Sequence, residues 1–226
     1  MKHIGISQRV LFDKATGETR DALDQRWYDF ISILNIRLYP IPNNISGVLE
    51  YIDSLKLDGF IFSGGNNVGS RNKVIMDNKT ILKDDVSTKR ENTEIEMLTW
   101  ALYNKKPVIG VCRGMQFINS YFNGEQALVD KSVHVNKKHC VDFINNDFLK
   151  IYGKSHIVNS YHNYGIKKNM LSKKLIPTAI FENEIEGFKH INKPLWGIMW
   201  HPERNIEFDE CDIKLFNSIL ILNEKF

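Results

Sequence analysis

Cysteine is scarce in this chain, with three among 226 residues, Cys112, Cys140 and Cys211. That is too few for a disulfide framework, and none stands at the Cys-x-x-Cys spacing of a metal or redox site. Long apolar runs are missing as well. No stretch approaches the roughly 18 apolar residues that span a bilayer. The opening MKHIGISQRVLF holds a short strand-like run rather than a long apolar segment ahead of a cleavage site. Neither charge dominates: 30 basic and 27 acidic residues leave a formal charge of +3, far from that of a dedicated nucleic-acid binder. There is no internal repeat, low-complexity tract or linker. These absences lead us to expect a single domain over residues 1–226, in a reducing cytoplasm, with neither nucleic acid nor membrane as partner.

What is present suits an ordinary globular chain, since 42% hydrophobic and 25% charged residues argue against disorder. Strand-like and helix-like patterns alternate. Residues 2–6 read as a strand, and Leu23, Trp27, Phe30 and Leu34 as one face of a helix. A strand over 37–41 follows, then a helical face of Val48, Tyr51, Ile52 and Leu55. Next comes a buried strand over 59–62 that ends in Ser63-Gly64-Gly65. Residues 66–86 are irregular and polar and read as a loop. Thr88-Lys89-Arg90-Glu91 fits a capping box ahead of a helix that buries Ile95, Leu98 and Leu102. A strand over 107–111, a helix over 115–122, a late strand over 195–200 and a closing helix over 213–222 complete the pattern. Such alternation predicts an α/β fold, a doubly wound, mostly parallel sheet flanked by helices. Between Lys131 and Lys174 stand nine lysines and two acids, a solvated face with attraction for an anionic substrate as the alternative.

The most informative stretch is Val108-Ile109-Gly110-Val111-Cys112-Arg113-Gly114-Met115-Gln116, a strand running directly into a helix with Gly-x-Cys-x-Gly at the junction. This turn strains its central residue and projects the side chain from the sheet edge, while glycines let strand and helix close together. A buried structural cysteine is the plain alternative, but it has no use for such a turn. Cys112 therefore reads as a nucleophile at a helix N-terminus, whose dipole and free N–H groups favour a thiolate. A nucleophilic cysteine needs a histidine, and the histidine an orienting group. Trp196-Gly197-Ile198-Met199-Trp200-His201-Pro202-Glu203 supplies both, since His201 and Glu203 fall on one side of an extended segment. His3, His134, His139, His156 and His190 lie in polar surroundings and are expected at the surface.

With these stretches in view, the chain resembles the class I glutamine amidotransferases, a flavodoxin-like fold. Within them it is most similar to the stand-alone γ-glutamyl hydrolases of the peptidase C26 type. The elbow GVCRGMQ and the downstream His-Pro-Glu carry the resemblance, supported by Ile4-Gly5-Ile6 and by residues 58–65. The resemblance implies a Cys112-His201-Glu203 catalytic triad and an oxyanion hole made by the N–H groups of Gly65 and Arg113, beside Gly64. It also implies that Gln116 contacts the glutamyl moiety and that Asn159, Ser160, Tyr161 and His162 line its pocket. Asn163-Tyr164-Gly165 departs from the family pattern on the leaving-group side.

The implied reaction is hydrolysis of a γ-glutamyl amide through a γ-glutamyl thioester, with no metal or organic cofactor. The substrate is a small γ-glutamyl conjugate. Arg9 after the first strand and Arg26 beside Trp27 and Tyr28 suit a phosphate with a base. On composition alone they are surface charges and Trp27 is core. The resemblance turns the reading towards a γ-glutamyl nucleotide amidate, with either arginine as the pyrophosphate contact. A glutaminase subunit feeding ammonia to a synthetase, a γ-glutamyl-amine hydrolase and a regulatory binding protein are the alternatives. Oligomeric state is left open.

Overall fold

The computed structural model describes residues 1–69, 74–76, 79–81 and 84–222, with only the backbone for 74–76 and 79–81. The first half alternates as the pattern predicts. Strand β1 (Lys2–Ser7) is followed by a hairpin of β2 (Arg9–Phe12) and β3 (Thr19–Ala22) that forms a separate two-stranded sheet. Then come α1 (Arg26–Ser32), β4 (Ile36–Ile41), α2 (Val48–Leu55) and β5 (Gly59–Phe62). Where a loop was expected, β6 (Val74–Met76) and β7 (Lys79–Ile81) pair as a second small hairpin. Helix α3 (Thr88–Tyr103), β8 (Val108–Val111) and α4 (Arg113–Tyr121) follow.

The second half holds strands that the sequence pattern left unassigned. These are β9 (Ala127–Leu128), β10 (Val135–Phe143), β11 (Ser155–Tyr161), β12 (Tyr164–Lys167), β13 (Leu175–Phe181) and β14 (Glu184–His190). Helices α5 (Lys131–His134) and α6 (Asn146–Tyr152) lie among them. Strand β15 (Leu195–Ile198) returns to the centre, and α7 (Glu210–Asn217) closes the described chain, running into a π-helical turn over Ser218–Leu222.

The main sheet runs β11-β10-β13-β14-β15-β8-β5-β1-β4. From β15 to β4 every pairing is parallel, and from β11 to β15 every pairing is antiparallel. Period-two alternation divides the parallel strands between two cores. Ile4, Ile6, Ile61, Ile109 and Val111 face α1, α6 and α7, whereas Phe60, Phe62 and Val108 face α2, α3 and α4. Phe30 of α1 meets Phe216 of α7 edge to face at 5.0 Å. Each ring withdrawn from water in this way contributes about 1.5–3 kcal/mol. Eight of the nine lysines between 131 and 174 are exposed, so that run is a solvated face. Among the described residues, no helix is long and apolar enough to cross a membrane.

This arrangement decides where chemistry can sit. In an open α/β sheet the carboxyl ends of the parallel strands form the ligand-binding edge. Here β1, β5, β8 and β15 deliver Arg9, Ser63-Gly64-Gly65, Cys112 and His201 to that edge.

Candidate active site

Cys112 caps the N-terminus of α4 with φ 52° and ψ −106°, a left-handed backbone that costs a non-glycine residue about 1–3 kcal/mol. The surroundings hold it there. Its N–H donates to the Ile198 carbonyl at 2.8 Å, tying the elbow to β15. The flanking glycines let strand and helix touch: a Cβ on Gly110 would meet the Gly114 carbonyl carbon at 2.6 Å, and one on Gly114 would enter the Phe62 carbonyl. Cys112 as a whole is 6% exposed.

His201 follows β15 and caps a 3-10 turn, Pro202–Arg204, in which the proline occupies a position that needs no N–H. Its Nδ1 lies 2.7 Å from Glu203 Oε1, and the ring is close enough to the Cys112 sulfur to feel its charge. Burial alone would lower its pKa. The Glu203 carboxylate, and after it the Cys112 sulfur, outweigh burial and raise it to about 9. Imidazolium is therefore the resting form at neutral pH.

Asn159 grips the same histidine through the backbone. Its Oδ1 accepts from His201 N–H at 2.8 Å and its Nδ2 donates to the His201 carbonyl at 2.7 Å. Tyr161 sets its ring edge-on to His201, with centroids 5.8 Å apart, and the Arg204 guanidinium lies over Tyr161 at 4.7 Å. On the other side a Cβ at Gly64 would strike His201 Cε1 at 2.6 Å, so only glycine lets that loop lie against the imidazole.

Arg90, absent from the sequence-derived site, holds the loop. Its guanidinium is fully buried and donates to the carbonyls of Ser63 (2.6 Å), Gly64 (3.1 Å) and Gly65 (2.5 Å). In a trans peptide the C=O of one residue and the N–H of the next point in opposite directions. A Gly64 carbonyl turned to Arg90 therefore turns the Gly65 N–H away from it. Glu94 accepts from Arg90 at 3.0 Å and also from Arg113, while Glu91 stands 3.7 Å from Arg113 and accepts from the Gly69 N–H at 2.5 Å. Burial holds both guanidinium groups below the usual arginine range, Arg90 at about 9. The expected capping box is thus displaced by one residue. Ser87 is the cap, accepting from Arg90 N–H at 3.3 Å, and Glu91 serves the buried ion network.

The remaining sequence-derived residues divide. Gly64, Gly65 and Arg9 line a cleft of about 260 Å³ together with Trp27, Glu203 and Arg204. Arg9 pairs with Asp85 at 3.1 Å, and Arg26 is held at an exposed position by both oxygens of Asp24. Three residues expected in the glutamate pocket have polar atoms bonded to the protein. Gln116 donates to the Tyr164 carbonyl at 2.7 Å, Ser160 to the His134 carbonyl at 2.7 Å, and His162 meets His134 and the Tyr164 carbonyl. Asn159 likewise serves His201. His134 and His139 are buried rather than at the surface: His134 lies at the inner end of α5, and β10 turns His139, Val141 and Phe143 inward.

The peptidase C26 family matches residues 4–203 of this chain. The chain belongs to that family. Family membership makes it an enzyme, a cysteine-dependent γ-glutamyl amide hydrolase, as the elbow and the His-Pro-Glu led us to expect. A relative, the γ-glutamyl-CDP-amidate hydrolase of Campylobacter jejuni, is 31% identical over 225 residues, covering 99% of this chain and 96% of its own. Two solved structures share the fold. One is a glutamine amidotransferase of Thermotoga maritima, 13% identical with a TM-score of 0.63, covering all of this chain and 86% of its own. The other is the glutaminase domain of the Trypanosoma brucei CTPS with bound acivicin, 13% identical with a TM-score of 0.67, covering all of this chain and 96% of its own. Both are class I glutamine amidotransferase folds, as the sequence implied.

Proposed function

We propose that this C26 hydrolase cleaves the γ-glutamyl amide bond of a γ-glutamyl nucleotide amidate, with Cys112, His201 and Glu203 as its catalytic triad. The observation that carries the triad is the contact of the His201 ring with both Cys112 and, at 2.7 Å, Glu203. A charged imidazole beside the sulfur stabilises negative charge on it. In the proposed reaction Sγ attacks the γ-carbonyl carbon, and the oxygen takes up the charge and hydrogen bonds from the Gly65 and Arg113 N–H groups. Collapse breaks the C–N bond as His201 passes its proton to the departing nitrogen, leaving a γ-glutamyl thioester. Water, deprotonated by the now neutral His201, attacks the thioester, and glutamate leaves as Cys112 is restored. Glu203 keeps the imidazole oriented without itself transferring a proton.

Support for the nucleotide amidate comes from the near full-length similarity to the C. jejuni hydrolase and from the cleft wall. Arg9 and Arg204 line the cleft, and Arg26 lies close enough to interact with Glu203 and Tyr161. Such a rim suits a pyrophosphate better than a cationic amine. The products would be glutamate and cytidine diphosphoramidate. The test compares kcat/KM for γ-glutamyl-CDP-amidate and γ-glutamyl-γ-aminobutyrate. Equal or better use of the aminobutyrate conjugate would remove the nucleotide reading and leave the hydrolase.

A further inference from the structure

A cluster of imidazoles and carboxylates lies outside the chemistry described so far. His134 ends α5, His139 lies in β10, His162 sits between β11 and β12, and Glu184 and Glu186 are two apart on one face of β14. His134, His162 and Glu186 are each at most 3% exposed. One ligand atom from each lies within 4.8 Å of the others. His134 Nδ1 and His162 Nε2 are 3.2 Å apart, and His162 Nε2 is 3.6 Å from Glu186 Oε1. Those spacings have a physical meaning. Around an ion with bonds of about 2.0–2.1 Å in tetrahedral geometry, neighbouring ligand atoms lie about 3.3 Å apart.

The protons point the same way. Nδ1 of His162 stands 3.0 Å from the Tyr164 carbonyl, an acceptor, so Nδ1 carries the proton and Nε2 offers a lone pair. His134 Nε2 stands at ion-pair distance from the Glu184 carboxylate, 3.2 Å, without a hydrogen bond between them, and the tautomer with its proton on Nε2 leaves Nδ1 with a lone pair as well. Two lone pairs then confront each other beside a carboxylate. A ring nitrogen anchored by its N–H to a carbonyl or carboxylate, with the other nitrogen bare, is how metal-binding histidines are held. Glu186 adds the independent observation: it is 1% exposed, and neither of its oxygens has a hydrogen-bond partner. His139 Nε2 is nearest to Oε2, at 3.5 Å, too far for a strong hydrogen bond. A carboxylate without hydrogen bonds in the interior is costly unless a cation neutralises it.

We propose that His134 Nδ1, His162 Nε2 and the Glu186 carboxylate bind one divalent zinc-class ion, with water as fourth ligand. Imidazole and carboxylate donors at this spacing suit zinc better than calcium or magnesium. The ion takes no part in the hydrolysis and adds a structural centre to an enzyme whose chemistry needs no metal. It pins the 159–164 segment, which carries the Asn159 clamp on His201, the Tyr161 ring against it and the Tyr164 carbonyl that receives Gln116.

The experiment uses the full chain. Wild-type protein is treated with chelator and desalted, and its fold is verified by circular dichroism. Zinc sulfate is then titrated in while binding is followed by calorimetry and Tm by scanning fluorimetry. Glu186→Gln, which keeps shape and removes the charge, is measured in parallel, as is Cys112→Ala, to exclude the active-site sulfur as ligand. The expected result is one zinc per chain with a rise in Tm in wild type and in Cys112→Ala, and at least tenfold weaker binding in Glu186→Gln. Cobalt in place of zinc should give the visible absorption of a tetrahedral site. A folded wild-type protein that takes up no zinc would overturn the proposal, as would equal affinity in Glu186→Gln, which would put the ion elsewhere.

Discussion

Replacing Glu203 with glutamine tests the electrostatics of the site most directly. His201 is fully buried, which alone would favour the neutral ring. Glu203, and after it Cys112, reverse this and raise its pKa from 6.5 to about 9. That gap corresponds to about 3 kcal/mol of preference for the imidazolium. The unfolded chain titrates near 6.5, so this contribution to stability is complete below that pH and is lost as pH rises through about 9. Glutamine preserves the hydrogen bond to Nδ1 but removes the larger of the two charges opposing burial. The alkaline limb of kcat/KM, near pH 9 in wild type, should therefore move at least one pH unit lower in Glu203→Gln. Tm should cease to decline over the same interval. The assay is glutamate release from γ-glutamyl-CDP-amidate between about pH 6 and 10. Arg90 is also held at about 9, but the substitution leaves it untouched, so a limb that moves belongs to His201. A limb that stays near 9 in Glu203→Gln would refute the assignment of the proton to the His201–Glu203 pair. Activity at neutral pH should fall less than in His201→Ala, because glutamine still orients the ring.

Three further outcomes follow from the geometry. Cys112→Ala should abolish turnover, and mass spectrometry after treatment with an electrophilic glutamine analogue should find label on Cys112 but not on Cys140 or Cys211. Arg90→Met would leave Glu94 short of a partner and free three loop carbonyls, with a loss of about 3–5 kcal/mol in denaturant unfolding; Arg90→Lys, which keeps the charge but not the fork, should fold better and still lose kcat. Asn159→Ala should lower kcat with little change in KM, because its amide holds His201 rather than the glutamyl group; a rise in KM alone would return Asn159 to the substrate pocket.

Local features were legible in the sequence. The elbow around Cys112 and the His201-Pro202-Glu203 segment each fit within a few residues, and the glycines that let the elbow close are visible as letters. What stayed hidden depends on distant partners. Arg90 and Glu91 look like the start of a solvated helix until the Ser63–Gly65 loop folds against them. His134 and His139 sit in a lysine-rich stretch; His134 is buried at the end of α5, and His139 begins the buried alternation of β10 just after the exposed Lys137 and Lys138. The antiparallel half escaped because strands with one wet face, such as β10 and β11, mix polar and apolar letters instead of forming a continuous apolar run. The Glu184-x-Glu186 spacing was the available sign that two acids share a face of β14.

The β2–β3 hairpin stands apart from the main sheet, yet it brings Arg9 and Leu11 to the cleft wall. Among the described residues its strands form a ladder only with each other, and the Asn66 side chain holds Val10 from beside the glycine loop, whereas Cys112, His201 and that loop are fixed by the central sheet and the buried ion network. Under the proposed function, recognition of the leaving group and cleavage of the bond therefore rest on different parts of the fold. On that reading selection, or an engineer, would rewrite the exposed side chains of the hairpin for a new conjugate of glutamate while keeping the Val10 backbone in the grip of Asn66.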